Sequence, residues 1–273
     1  MPLPATLSVL LPVYNGAAYV EATIQSILEQ SYRTYELIVL DDGSTDQTPQ
    51  ILERYVRSDP RLRVLRHANH GVGYTLQRGL VESKGRFVAL IGADDLALPG
   101  RLEKQVAFLD ANRDHVFIGG YLRIIDAHGR AIGLRRYPST DERLRRAMLL
   151  YNPFGAPSAM FRRDDALAAG GFTSRFWTCE DYDFFLRLAR RGKMANLPEP
   201  LVAYRLHENA VKATHTLRQL RDTLATKRAA YDEYGYRPSL LARTADFAME
   251  IMTHLPPAMT YRIFTAIAIR AKR

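Results

Sequence analysis

The chain has 273 residues, of which 47% are hydrophobic and 25% are charged, a composition that is ordinary for a soluble globular protein. Its one cysteine, Cys179, excludes an internal disulfide framework and fits a reducing compartment. No apolar run approaches the roughly 18 residues of a membrane-spanning helix, which excludes an integral membrane protein, and no basic region precedes the first apolar run, which argues against a cleaved signal. The formal net charge of +9 suits anionic partners such as lipids, nucleic acid or phosphorylated ligands.

Strand and helix patterns alternate through the first hundred residues. Four short apolar runs read as buried strands, and the segments between them carry apolar residues at helical spacing. Thr48 is predicted to cap the second helix, with Pro49 at its first position. The alternation predicts an α/β fold with a mostly parallel sheet that is flanked by helices on both faces. The predicted strands are 7–11, 37–40, 62–65 and 87–91.

The pattern loosens in the second half of the chain. Short strands and loops are expected between Val116 and Met160, followed by a helix from about Tyr182 to Arg190 and a strand over 201–204. Long helical patterns then run from about Thr214 to Tyr231 and from Leu240 to Leu255. They predict a helical C-terminal extension.

Several common motifs of α/β proteins are missing. Gly71-Val72-Gly73 lacks the third glycine of a dinucleotide fingerprint, and there is neither a phosphate loop ending in Gly-Lys-Ser/Thr nor a nucleophile elbow. These absences disfavour oxidoreductases, NTPases and α/β-hydrolases. Nucleic-acid binding would rest on charge alone, since no readout motif supports it, and we expect none.

Two predicted strands end in paired carboxylates. Asp41-Asp42 follows the second strand and Asp94-Asp95 follows the fourth. Ligands of parallel sheets bind beyond the carboxyl ends of the strands, and adjacent acids need a cation or a set of donors. The pairs therefore indicate a metal beside a phosphorylated or hydroxyl-rich ligand. A helix-capping or turn role is the alternative for each pair.

Five motifs in a fixed order extend this pattern. With them the chain resembles the family 2 inverting glycosyltransferases of the GT-A fold, which use nucleotide-activated sugars. The resemblance covers about residues 5–210. It implies a Rossmann-like GT-A domain over 1–212, with a nucleotide-sugar half at about 1–100 and an acceptor half at about 101–212, and a helical extension over 213–273. The motifs are Pro12-Val13-Tyr14-Asn15-Gly16, Asp41-Asp42-Gly43-Ser44-Thr45-Asp46, Asp94-Asp95, Glu180-Asp181-Tyr182-Asp183 and Tyr204-Arg205-Leu206-His207.

The resemblance also implies binding roles for individual residues. A divalent Mg²⁺ or Mn²⁺ ion would be held by Asp94, Asp95 and His207, although a plain surface or capping role for His207 stays open. The family often has an acid two residues before Asp94, where this chain has Gly92, so the division of metal and ribose contacts within the pair is left open. The implied nucleotide pocket contains Pro12, Val13, Tyr14, Asn15, Asp42 and Asp94.

The acidic start of the predicted helix near residue 180 resembles the catalytic site of the family. Asp181 would be the general base that takes the proton of the acceptor hydroxyl, and Glu180 would position the acceptor or the base. The alternative is that these acids only stabilise a helix N-terminus. Inverting transfer needs no nucleophile, so Cys179 is interpreted as a small packing residue.

The implied function is the transfer of one sugar, with inversion, from a nucleotide-diphosphate donor to a hydroxyl. A UDP-sugar is the expected donor and a saccharide or lipid-linked acceptor the expected partner, in cell-surface polysaccharide or glycolipid synthesis. The chain has no Gln-x-x-Arg-Trp motif, so a single sugar is expected per encounter. A sugar-nucleotide-binding subunit without turnover is the alternative. A nucleotidyltransferase is disfavoured because its N-terminal glycine-rich loop is missing.

The C-terminal segment 258–273 places apolar residues on one predicted helical face, with basic residues around it. This pattern suits an interfacial helix, and we expect a cytoplasmic protein with peripheral contact at the inner membrane face. A helix packed on its own domain, or on a second subunit in a homodimer, fits the pattern equally well. The apolar residues are Met259, Ile263, Phe264 and Ile267, and the basic ones are Arg262, Arg270, Lys272 and Arg273.

Overall fold

The computed structural model describes residues 6–207 and 216–254, and one large mixed sheet forms its centre. The strand order is β3-β2-β1-β4-β8-β6-β9-β5, with β7 paired to β6. Within the described ranges, no helix is both long and apolar enough to cross a membrane.

The first half of the sheet is parallel, as predicted. In it, β1 pairs with both β2 and β4, and β2 pairs with β3. Each of these strands is followed by a helix, except that β4 leads into the turn at Asp94-Asp95. The elements are β1 (Leu7–Val13), α1 (Val20–Leu28), β2 (Tyr35–Asp41), α2 (Thr48–Ser58), β3 (Leu62–Arg66), α3 (Val72–Glu82) and β4 (Phe87–Leu90).

Alternation along the strands explains why these runs are mostly apolar. Leu10 and Ile38 pack into a core on one face of the sheet, whereas Val9 and Leu37 pack into a second core on the other face. Successive side chains of a strand point to opposite faces, so a sheet covered on both sides favours apolar residues at most positions. The strands that carry the predicted site residues at their ends are therefore held by packing on both faces.

The second half is mixed and differs from the sequence-based expectation. Strand β8 lies antiparallel between β4 and β6, and β6 is an 11-residue strand where short strands and loops were expected. Helices α4 and α5 were not predicted; α5 buries only Leu144, Ala147 and Met148 beneath an arginine-rich exposed face. The elements are β5 (Leu96–Ala97), α4 (Arg101–Ala111), β6 (His115–Ile125), β7 (Ala131–Arg135), α5 (Asp141–Met148), a 3₁₀ turn (Ala156–Ser158), β8 (Met160–Arg162) and α6 (Arg163–Ala168).

The remaining elements return the chain to the sheet and then add two C-terminal helices. Strand β9 pairs parallel to β6 and antiparallel to β5, with register shifts against β6 near Pro200. The predicted C-terminal helices are present as α8 and α9, whereas segment 258–273 lies outside the described residues. The elements are α7 (Glu180–Leu188), β9 (Lys193–Arg205), α8 (Thr216–Asp232) and α9 (Leu240–Thr253).

One predicted cap is wrong. Helix α2 begins at Thr48, with Gln47 as its N-cap residue. The Thr48 hydroxyl does not cap the helix but accepts a hydrogen bond from the backbone N–H of Gly16 at 2.9 Å. A tertiary contact between the loops after β1 and β2 therefore uses the side chain that the local pattern assigned to the helix.

Candidate functional site

A cleft of about 1000 Å³ opens at the carboxyl ends of β1, β2 and β4. It is formed by the loops that follow these strands, the start of α3, the loop before α7 and the end of β9. This is the expected place for a ligand of a parallel sheet. Its lining residues are Pro12, Val13, Tyr14, Asn15, Gly16, Ala18, Tyr19, Asp42, Asn69, Gly71, Val72, Thr75, Gly92, Ala93, Asp94, Ala127, Trp177, Leu206 and His207.

The loop after β1 is fixed by the loop after β2. Asn15 has a φ of +50°, a left-handed conformation that asparagine tolerates better than most residues. Its backbone N–H donates to Ser44 Oγ at 2.9 Å, and its side-chain oxygen accepts from the N–H of Thr45 at 2.8 Å. The predicted nucleotide residues Pro12, Val13, Tyr14 and Asn15 all line the cleft. Asn15 also connects the loops after β1 and β2, a role that the sequence did not indicate.

Asp42 lines the cleft and holds the loop after β3. It is 5% exposed, and its two carboxylate oxygens accept from the backbone N–H groups of His70 (2.8 Å) and Gly71 (3.0 Å). A carboxylate has about four lone-pair sites, so acceptor capacity towards a ligand remains. Asp42 therefore combines the predicted binding position with the turn-holding role that was its alternative.

The two carboxylates after β4 have different surroundings. The Asp94 side chain is 34% exposed in the cleft, and its Oδ2 lies 2.8 Å from His207 Nε2. Asp95 is 1% exposed, does not line the cleft, and accepts from the backbone N–H of Arg205 at 3.0 Å. Long-range contacts between β4 and β9 thus turn one acid towards the cleft and the other into the protein.

A buried arginine accompanies Asp95. Arg101, at the start of α4, is 1% exposed and donates to the Leu90 carbonyl at 2.7 Å and to Gln105 Oε1 at 3.0 Å. Burial lowers the pKa of Arg101 to about 9, and the nearby charge of Asp95 opposes that shift. This arrangement gives Asp95 a charge partner inside the protein.

Gly92 provides the space for this geometry. A Cβ atom at position 92 would lie 2.7 Å from Asp95 Oδ2 and 3.0 Å from Asp94 Oδ1. Any side chain there, including the acid that the family often carries, would require the carboxylates to move. The departure at Gly92 is therefore matched to the present orientations of Asp94 and Asp95.

Asp94 and His207 are a donor set that fits a divalent cation with substrate bound. Within residues 6–207 and 216–254, no group of three or more His, Cys, Asp or Glu side chains is arranged to hold a metal ion. Mg²⁺ and similar ions commonly use one or two protein ligands and complete their shell with water and substrate phosphate oxygens. Asp94 supplies such a carboxylate at the cleft wall, and the adjacent His207 offers an imidazole nitrogen, which transition-metal ions accept more readily than Mg²⁺ does.

The predicted catalytic acids lie on the first turn of α7. Asp181 accepts from the N–H of Tyr182 at 2.7 Å and from Asn152 Nδ2 at 3.2 Å. Glu180 and Asp181 are partly buried and are not among the cleft-lining residues, whereas Trp177, which precedes α7, is. The sequence leaves Trp177 open between core packing and stacking on an acceptor sugar, and the structure places it at the cleft.

Cys179 is the residue before α7 and is 4% exposed. Burial raises the pKa of its thiol to about 12, with the charge of Asp181 acting in the same direction. A thiol needs its deprotonated form to act as a nucleophile. Cys179 is therefore protonated at neutral pH, in agreement with its interpretation as a packing residue.

Known proteins resemble this chain in sequence and fold. The family model described as "Glycosyl transferase family 2" matches residues 8–170. An uncharacterized glycosyltransferase of Haemophilus influenzae is 34% identical over 226 residues, covering 78% of this chain and 69% of that protein. The O-antigen biosynthesis glycosyltransferase WbnJ of Escherichia coli is 30% identical over 210 residues, covering 76% of this chain and 82% of that protein.

Two solved structures share the fold at low sequence identity. The mannosyltransferase PcManGT of Pyrobaculum calidifontis, in complex with GDP-Man and Mn²⁺, has a TM-score of 0.66 at 19% identity and covers 98% of this chain and 75% of its own. S. aureus TarS 1-349, in complex with UDP-GlcNAc, has a TM-score of 0.63 at 18% identity, covering 92% and 82%. The expected GT-A fold is confirmed by these likenesses, and the family match over most of the sheet shows that the chain belongs to glycosyl transferase family 2.

Proposed function

We propose that this glycosyltransferase moves one sugar from a nucleotide-diphosphate donor to an acceptor hydroxyl with inversion. The observation that carries the proposal is the pairing of Asp94 with His207 at 2.8 Å in a cleft built from strand-end loops. TarS and PcManGT, which share the fold, were solved with UDP-GlcNAc and with GDP-Man and Mn²⁺. A UDP-sugar is the proposed donor, and the name of the E. coli relative supports a role in surface polysaccharide synthesis.

In the proposed reaction, Asp181 accepts the proton of the acceptor hydroxyl as that oxygen bonds to the anomeric carbon. The bond between the anomeric carbon and the diphosphate oxygen breaks on the opposite face, and the nucleoside diphosphate leaves with the electron pair. Single displacement inverts the anomeric centre. A bound Mg²⁺ or Mn²⁺ would supply positive charge against the leaving diphosphate. Asp94 and His207 are the residues proposed to hold it, in preference to the buried Asp95.

Removing divalent metal is expected to abolish transfer. Wild-type protein would be treated with EDTA and assayed with a panel of nucleotide sugars, before and after addition of Mn²⁺ or Mg²⁺, by release of nucleoside diphosphate. Restored release with one donor supports the proposal. Equal activity in EDTA would contradict metal assistance, and no release of nucleoside diphosphate from any donor in the presence of metal would contradict the function itself.

A sugar-nucleotide-binding subunit without turnover is the second candidate. Two observations favour it: Gly92 stands where the family often has an acid, and neither Glu180 nor Asp181 lines the cleft. It predicts donor binding by calorimetry with no product from any acceptor, and no change in that binding when Asp181 is replaced. Transfer to any acceptor excludes it.

We also propose that the protein contacts an anionic membrane surface, which suits a lipid-linked acceptor. Helix α9 exposes a row of large apolar side chains, and its carboxylates Asp246 and Glu250 instead pair with Lys227 and Arg228 of α8. Residues 255–273 contain four Arg/Lys and no Asp or Glu. The exposed apolar residues are Leu240, Leu241, Phe247 and Ile251.

Vesicle binding tests this contact. The protein is expected to float with vesicles that contain phosphatidylglycerol and not with neutral phosphatidylcholine vesicles, because basic residues and an apolar face act together. Phe247→Ser is expected to weaken flotation, whereas Val81→Ser, at another exposed apolar residue, serves as the control. Equal flotation of the two variants would exclude the α9 face.

A further inference from the structure

Residues 216–236 lie beyond the 8–170 stretch that matches the family, yet they contact the segment that carries Asp181. We propose that Asp222 and Tyr234 are positioning residues for catalysis, which hold the loop before α7 and α7 itself so that Asp181 is aimed at the acceptor. The inference rests on the proposed role of Asp181 as general base. The helical extension would then contribute to catalysis by orienting α7.

Asp222 of α8 fixes the loop just before Asp181. One oxygen, Asp222 Oδ2, accepts from both the backbone N–H of Thr178 (3.0 Å) and its hydroxyl (2.8 Å). The next residue is held by the same helix, since Cys179 Sγ lies 3.4 Å from Thr223 Oγ1. Two consecutive residues of the loop are therefore tied to α8. Hydrogen bonds to a charged acceptor are about twice as strong as neutral ones, which suits a holding role.

The same helix reaches the cleft through the side chain of Trp177. The guanidinium carbon of Arg218 lies 4.7 Å from the centre of the Trp177 ring, a cation–π contact. Trp177 lines the cleft, and a Cβ atom at Gly71 would lie 3.6 Å from its Nε1. Trp177 thus spans from α8 to the start of α3, on the nucleotide side of the cleft.

Tyr234 fixes α7 on the other side of Asp181. Its hydroxyl donates to Asp183 Oδ1 at 2.6 Å. Burial raises the pKa of Tyr234 to about 12, and the hydrogen bond to Asp183 acts in the same direction, so the hydroxyl keeps its proton. Asp183 is 1% exposed and also accepts from Thr173 Oγ1 at 3.2 Å and from Arg187 at 2.7 Å. This buried carboxylate joins the loop, α7 and the extension in one network.

Asp181 lies between these two attachments, three residues after Thr178 and two before Asp183. Asp181 itself accepts from the N–H of Tyr182 and from Asn152. The orientation of the first turn of α7 is therefore set by contacts on both flanks. A shift of about 1 Å at a reacting group can cost on the order of 10²-fold in rate. Loosening either attachment should lower turnover more than donor binding.

Two tyrosines provide a matched test. Tyr234→Phe removes the hydrogen bond to Asp183, whereas Tyr231→Phe removes a hydrogen bond of 2.7 Å from α8 to Asp246 of α9 and leaves the hydrogen bonds to Asp183 and Thr178 in place. We expect Tyr234→Phe to lower kcat about tenfold, since the reacting group is misplaced, with donor affinity by calorimetry unchanged and Tyr231→Phe equal to wild type. Asp222→Ala is expected to act like Tyr234→Phe, and Asp222→Asn, which keeps an acceptor oxygen, to restore most of the loss.

Trp177 supplies a readout that does not depend on chemistry, because it is the only tryptophan of the chain. In Asp222→Ala its fluorescence should become more accessible to acrylamide, whereas Tyr231→Phe should match wild type. If Asp181→Asn retains full transfer, the base assignment fails whatever α8 does. If Asp181→Asn is inactive while Asp222→Ala and Tyr234→Phe keep wild-type kcat, the positioning role is wrong. Equal losses in the two tyrosine variants would also overturn it.

Discussion

Replacing Asp181 with asparagine is expected to lower kcat for sugar transfer by about 10²–10⁴-fold, the usual contribution of a general base. Asparagine has nearly the same shape and keeps an acceptor for the N–H of Tyr182, so the start of α7 should stay intact. Its amide oxygen cannot take a proton at neutral pH, and that is the property removed. Initial rates with saturating donor and acceptor measure the effect.

Donor affinity gives the control for this variant. The donor is proposed to bind in the cleft that Asp181 does not line, so its dissociation constant should equal that of the wild type. Glu180→Gln, one residue earlier on the same helix turn, should lose less activity because its proposed role is positioning. Activity of Asp181→Asn within a few-fold of wild type would mean that another group takes the proton.

The second large effect is a division between the two acids after β4. Asp94→Asn is expected to remove metal-dependent donor binding and to lower kcat/KM by at least about 10²-fold, a loss that outer partners of metal ligands already cause. Its stability should change little because Asp94 is partly exposed. Asp95→Asn is expected to lower the free energy of unfolding by about 1–3 kcal/mol, the cost of disturbing a buried hydrogen-bonded group.

The alternative is that Asp95 supports metal-dependent donor binding and Asp94 supports stability. Calorimetry with a nucleotide sugar, with and without Mn²⁺, and urea unfolding would be measured for both variants. If Asp95→Asn loses metal-dependent binding at wild-type stability while Asp94→Asn keeps it, the proposed roles are reversed. His207→Ala should follow Asp94→Asn, since the two side chains are in contact at 2.8 Å.

The parallel half of the fold could be predicted because its pattern is local. Strands such as β1 and β2 are mostly apolar runs of about the expected length, and each is followed by residues at helical spacing. The predicted strands differ from the observed ones by one to three residues at their ends. A short, mostly apolar run of this kind is typical of a parallel strand that is buried on both faces.

The mixed half could not be predicted in the same way. Strand β6 contains Gly119-Gly120, which weakens the strand pattern, and it is held by β8 and β9 from distant parts of the sequence. Helix α5 is mostly charged and becomes a helix by burying three residues against its neighbours. In both elements tertiary packing outweighs local preference.

The sequence by itself determined that acidic strand ends would meet at one edge of a parallel sheet, because the alternation of strands and helices predicts strands that all end at the same edge. It also placed Pro12 to Asn15, Asp42, Asp94 and His207 at that edge. Only the tertiary structure decided which acid of the Asp94-Asp95 pair faces the cleft. That choice is made by the N–H of Arg205, some 110 positions away, and by the space at Gly92. The contact of α8 with the loop before Asp181 is equally non-local, since Asp222 and Thr178 are 44 positions apart.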